Sequence, residues 1–367
     1  MPAQATNPII ENLNMRQVLL NTASPMAYNL GTYTEASAPE GKTTRIKLQN
    51  TGILTKLGLV VTANVTIGTA TATLSPKAPW NVIKQIKMTD FQGTDRVNCS
   101  GLQLWALNSV RKKYPAFLNN GDLADVSAMP DVPTGVGTAN IKFYVEVPFA
   151  FSEVDLRGAI LAQTGAGEQY LTITWNEDFH QNGNDNGVYN GAGTSTVAVN
   201  SISVQVVQHY LMPQQISGQT PYPMLDLLTV YEINGNRLIA DNLTNGQERL
   251  LDYPNNRSIL GVYANYMNNS VMSNAIGQFR TIVNGNNVLT DLTNDHQLMM
   301  QRGWLSGADL KTGLFFFLHR GRVIETAQYG NVQVGLTPNT ATTSPTLELM
   351  YESMYAKGAT LQGINNQ

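Results

Sequence analysis

Four histidines, His180, His209, His296 and His319, are the side chains of this sequence best suited to proton transfer or zinc binding. No two of them have the spacing that puts a pair of imidazoles on one helix face beside a carboxylate, as a zinc site requires. Asp291 and Asp295 lie near His296 and, four residues apart, would share one face of a helix; a surface helix cap accounts for them more simply than a catalytic pair. The loop GNDNGVYNGAG, residues 183–193, carries Asn and Asp at alternate positions as calcium loops do. Asp185 is nearly its only carboxylate and no closing Glu follows, so the expectation is a solvent-exposed turn. Glu153 and Asp155 supply oxygens for a turn or a short helix cap rather than an acid and base. Trp80, Trp105, Trp175 and Trp304 would make a sugar-stacking platform if exposed, but Trp105 and Trp175 have the spacing of core residues. The chain holds no G-x-S-x-G elbow, no Walker loop and no glycine fingerprint opening a helix. This inventory requires no catalytic residue, no cofactor and no metal.

Charge and cysteine usage narrow the classes further. The formal net charge is −3, and Arg111-Lys112-Lys113 is the one basic cluster, expected on a solvated face or against a helix dipole. No direct nucleic-acid contact is expected without a basic stripe. Cys99 is alone, so no intrachain disulfide forms and burial must hold the fold. Apolar residues make up 42% of the 367, while charged residues make up 13%, against the usual share of about 25%. Such a surface has little charge to desolvate when it meets another protein. A lone cysteine fits a reducing site of synthesis, and the start of the chain has neither the basic residues nor the apolar core of a signal peptide.

The elements that must position these groups are mostly strands. Ile46 and Leu48 alternate with Arg45, Lys47 and Gln49, a β-branched run covers 57–67, and a further strand covers 82–91. Residues 101–107, GLQLWAL, change to helical spacing. Alternation returns in 141–147, in YLTITW at 170–175 and in 197–210, before a Pro-rich passage, 213–223. The second half repeats the plan loosely: strands at 276–283, 314–318 and 347–351, with Leu298, Met299 and Met300 where the first half has its Trp105 helix. Each half then offers about eight strands and one inserted helix, the count of a jelly roll. The expected fold class is all-β, a double jelly roll with a few short helices.

The run VPFAFSEVDLRGAIL, 147–161, carries the most particular punctuation of the chain. Its Val147-Pro148, Ala150, Phe151, Ser152-Glu153, Asp155-Leu156 and Gly158-Ala159 resemble a corner of the major capsid proteins of tectiviruses, the membrane-containing icosahedral bacteriophages. The stretches VVQHYLMPQ and PMLDLLTVY within 206–231, and QYGNVQVGLTPNT at 328–340, are similar to that family in the same order. The amino-terminal arm and the loops between strands differ from it in length and residues. The resemblance implies two barrels side by side, homotrimers of nearly hexagonal outline, and an icosahedral shell over an internal viral membrane. It implies as partners the neighbouring trimers and the vertex and minor capsid proteins, and as location the virion, after synthesis in the host bacterial cytoplasm. A carbohydrate-active or carbohydrate-binding β-sandwich is the competing class; it needs paired carboxylates or exposed aromatics.

Four regions follow: an arm with a short helix (1–25), a first jelly roll (26–212), a linker (213–224), and a second jelly roll with the carboxy-terminal tail (225–367). In the arm Asn7 caps, Pro8 fits the first helical turn and Glu11 meets its positive end. Ile9, Ile10, Leu13 and Leu20 form a narrow apolar stripe with Arg16 beside it. Those five residues are the candidate membrane-facing or inter-subunit segment.

Overall fold

The alternating runs pair into three sheets. The computed structural model describes residues 21–112, 131–152, 156–162, 167–191, 196–213, 229–240, 243–305, 310–319, 323–339 and 343–356. The first half contains β1 (Ser24–Glu35), β2 (Thr43–Lys47), β3 (Ile53–Gly68), β4 (Ile83–Thr89), β5 (Asp95–Cys99), the helix α1 (Gly101–Lys112), β6 (Gly137–Pro148), the two-residue β7 (Ile160–Leu161), β8 (Tyr170–Trp175) and β9 (Thr196–Met212). The second contains β10 (Thr229–Ala240), β11 (Arg249–Asp252), β12 (Ser258–Asn268), the short β13 (Val271–Met272), β14 (Ile276–Val283), β15 (Asn287–Thr293), the helix α2 (Asn294–Trp304), β16 (Leu314–Leu318), the short β17 (Ile324–Glu325), β18 (Val332–Pro338) and β19 (Pro345–Ala356).

Strand order makes the internal repeat explicit. In the first half one sheet runs β1-β9-β3-β6 and the other β5-β4-β8-β2; in the second, β10-β19-β12 with β16 beyond, and β11-β18-β14-β15. With the two-residue strands left out, each half is an eight-stranded unit whose first, eighth, third and sixth strands face its second, seventh, fourth and fifth. That is a jelly roll, twice. Each helix follows the fifth strand of its unit.

Burial follows the pleat. In β3 the odd positions from Leu59 to Ile67 are buried and the intervening ones half-buried, so one face meets Ile86, Met88, Leu171 and Ile173 of the opposing sheet. The second unit encloses its own core of Val262, Ala264, Tyr266, Phe279, Phe315, Val334, Leu349 and Tyr351. The two units are not separate beads. β5 pairs in parallel with β10, Val97 opposite Ile233 and Asn98 opposite Asn234, so one ten-stranded sheet crosses from the first unit into the second. β12 and β19 are buried on both faces: Tyr263, Met267, Met350 and Met354 turn away from the second core and join the first, with α1 against them.

Most of the expected strands lie where the pattern put them, and the helix begun at Gly101 runs on to Lys112. The arm, with Ile9, Ile10, Leu13, Arg16 and Leu20, lies outside the described residues, as do Glu153, Asp155 and the linker beyond Pro213.

Candidate functional site

The junction between the two units gathers several of the buried charges among the described residues. Arg111, in the last turn of α1, sends Nη2 to Glu352 Oε1 at 2.7 Å and Nε to the same oxygen at 3.1 Å. The phenols of Tyr231 and Tyr263 donate to the Glu352 carboxylate at 3.0 and 3.3 Å. The Tyr231 phenol is held well above its ordinary value, chiefly by burial, and so remains a donor. Burial opposes the charge on Arg111, but Glu352 and the two phenols outweigh it and keep the guanidinium protonated. Of the two expectations for its basic cluster, the solvated face fails for Arg111, while its place in the last turn of α1 suits the helix dipole. Arg111 is an inter-unit tie.

The punctuated corner serves the same junction. β6 stops at Pro148, and the chain turns so that the Phe151 carbonyl accepts from Arg111 Nη2 at 2.6 Å. Gly158 has φ +84°, and a Cβ there would lie 2.2 Å from Tyr231 Cβ. Only glycine meets both demands, since the second unit's first strand passes directly over it. Arg96, paired with buried Asp90 at 2.8 Å, donates to the Gly158 carbonyl at 3.4 Å.

Two further clamps close the seam. Trp80 and Trp105 stack with ring centroids 4.2 Å apart, and the Lys311 ammonium from the second unit sits 4.6 Å above Trp80 while donating to the Ala78 carbonyl at 2.5 Å. Burial lowers the Lys311 amine from 10.5 to about 7. Trp304 Nε1 donates to the Val110 carbonyl at 3.3 Å. The loop at 183–191 corrects its expectation as a solvent-exposed turn. Asp185 is fully buried; its carboxylate accepts from Met272 N at 2.7 Å and from Asn190 Nδ2 at 2.6 Å, and its own N–H donates to the Ser270 carbonyl at 3.0 Å. An Asx-rich loop looks alike whether its carboxylate faces water, a cation or a neighbouring hairpin. Only the approach of β13 decides.

The remaining candidates separate rather than converge. Asp291 lies in β15 and pairs with Arg280 at 3.3 Å, while Asp295 and His296 open α2, whose N-cap Thr293 bonds the His296 ring at 2.8 Å. His319 is half-buried with its ring lowered to about 4 by desolvation, so it is neutral at neutral pH. Trp80, Trp105 and Trp175 are buried and cannot stack on a sugar. Among the described residues no group of three or more His, Cys, Asp or Glu stands close enough to hold a metal ion. No helix among them is long and apolar enough to cross a membrane. Cys99 is fully buried, and burial pushes its thiol up.

Two jelly rolls joined through one sheet and a shared charged seam define a protein of the double jelly-roll viral capsid class. The MCP of STIV, the Sulfolobus Turreted Icosahedral Virus, matches at TM-score 0.66 with 11% identity over 91% of this chain and 97% of its own. Capsid protein P2 of bacteriophage PM2 matches at TM-score 0.53 with 10% identity over 92% and 99%. At the level of sequence the model for the P3 major capsid protein N-terminal region matches residues 3–214, and the chain belongs to that family. It is 27% identical to the major capsid protein P3 of Enterobacteria phage PRD1 over 93% of this chain and 90% of that protein.

Proposed function

We propose that this chain is the shell subunit of a bacteriophage virion: a homotrimer of pseudo-hexagonal outline that tiles an icosahedral capsid over an internal membrane. The observation that carries the reading is the match to the P3 major capsid proteins across both units. The physics supports it. Two barrels of one topology, held rigidly by a continuous sheet, give six barrels in three copies, so a threefold object presents six similar sides to its neighbours. In this reading the protein performs no catalysis and binds no cofactor; its partners are adjoining trimers, vertex and minor capsid proteins, and lipid. The segment with Ile9, Ile10, Leu13, Arg16 and Leu20 lies on the inner side, where many weak contacts add through the lattice.

Light scattering coupled to gel filtration tests the trimer, with three times the 40.0 kDa chain mass expected. A stable monomer at micromolar concentration overturns the reading. Deleting residues 1–20 should leave the trimer folded and abolish its assembly on lipid vesicles. Loss of the trimer itself would make the segment a structural strap.

A further inference from the structure

Beside the Asp185 clamp a buried cation faces the other unit without meeting an anion. Lys77, 7% exposed, donates from Nζ to Asn186 Oδ1 at 3.1 Å, and among the described residues it makes no direct ion pair. An ammonium carries three donor hydrogens, so this one bond leaves two of them without a protein acceptor. Desolvation lowers the Lys77 amine, and the charges of Glu348 and then Asp185 act against that. Glu348 belongs to the second unit, in β19.

The surface that meets Lys77 has the converse need. Tyr263 and Met267 of β12 and Met350 of β19 turn toward the first unit's core, while Leu347 and Leu349 turn into the second. By the period of two, Asn265, Thr346 and Glu348 therefore also face the first unit. Asn265 stands opposite Glu348, and two positions along the same strands Met267 stands opposite Thr346. Asn265, 2% exposed, donates from Nδ2 to Glu348 Oε2 at 3.0 Å, yet its Oδ1 is buried with no hydrogen-bond partner. Thr346 is half-buried as a residue, but its hydroxyl is closed off and equally without a partner. Asp185 brings the two sides together: its carboxylate accepts from Met272 N at 2.7 Å, Met272 pairs with Met267, and the residue after Asp185 is the Asn186 that holds the Lys77 amine.

We propose that one internal water molecule is bound between the units at this corner, accepting a hydrogen from Lys77 Nζ and donating its own two to Asn265 Oδ1 and Thr346 Oγ1. The donor set selects water over an ion. A metal cation takes no hydrogen from an ammonium and is repelled by it, and an anion has no hydrogen for two acceptor oxygens and would lie against the Glu348 carboxylate. Water does both, with the three or so hydrogen bonds usual for a buried water. The chain Lys77–water–Asn265–Glu348 then couples opposite charges of the two units with no direct contact between them.

Thr346→Val tests the site by the sign of its effect in urea unfolding of the full chain. Removing a hydroxyl bonded to the water shifts the unfolding equilibrium toward the unfolded chain by about three- to tenfold, whereas replacing an unbonded buried hydroxyl by a methyl shifts it the other way. An unchanged or more stable variant overturns the proposal. In a Lys77→Met background the water has lost its donor, so the same substitution should cost clearly less; an equal loss in both backgrounds overturns the bridge. A crystal structure of the parent protein reads the site with no substitution at all. One water peak is expected within about 2.5–3.2 Å of Lys77 Nζ, Asn265 Oδ1 and Thr346 Oγ1. A metal ion, a direct Lys77–Glu348 pair or no density at that point overturns the proposal.

Discussion

Lys311 shows how one residue ties the molecule to pH. Its ammonium lies over the Trp80 ring with one carbonyl partner, and burial lowers it from 10.5 to about 7. Above that folded value the unfolded chain holds a proton the folded one has released. Stability from this residue therefore rises with pH between about 7 and 10.5, by at most about 1.4 kcal/mol per pH unit. Below about 7 both states are protonated and the burial penalty is present in full. Lys311→Met should thus be most stabilising relative to the parent under acid conditions, with the advantage shrinking as pH rises through that window. Denaturant unfolding of both proteins across pH reads this out, and a gap that does not change with pH would mean the amine titrates near its ordinary value.

At the scale of elements, α2 inverts the usual helix. Its glutamines face inward because, among the described residues, β16 pairs with β12 alone, and the other edge of its backbone needs partners. Gln297 Nε2 donates to the Phe316 carbonyl at 2.6 Å, Gln301 Nε2 to the Leu314 carbonyl at 3.4 Å, and Phe316 N–H donates to Gln301 Oε1 at 3.2 Å. Two side chains thereby do for β16 what another strand would do. Gln301→Leu keeps the volume but leaves a buried N–H and a carbonyl unpaired, so a loss of about 1–3 kcal/mol per group is expected. Urea unfolding should show it. A loss below about 0.5 kcal/mol would mean water replaces the amide.

At the scale of the whole molecule, the shared sheet and the Arg111–Glu352 seam predict that the two jelly rolls unfold together. Glu352 is 3% exposed, and Glu352→Ala leaves Arg111 charged and unpaired, a cost of about 3–5 kcal/mol. Calorimetry should find one transition at a lower midpoint, with van't Hoff and calorimetric enthalpies still equal. Two resolved transitions in the parent protein would show that the units are coupled more weakly than their common core implies.

What the sequence by itself determined was local. Alternation marked β3, β6, β8 and β9 because one face of each is buried and the other is not, and the change of spacing at Gly101 marked α1. Among the strands that pattern did not mark, β1 is largely exposed on both faces and β12 is buried on both, and neither condition produces a period of two. The resemblance carried by Gly158 and Phe151 pointed to the right corner, but its purpose became visible only when Tyr231 was found against it. The tertiary structure alone decided the junction. Arg111 was readable as a charge, yet its partner lies 241 residues away, and Asp185 was readable as an acid, yet its donor belongs to a hairpin 87 residues on. Pairings across such separations depend on how the two units pack, and packing is a property of the assembled core that no local pattern encodes.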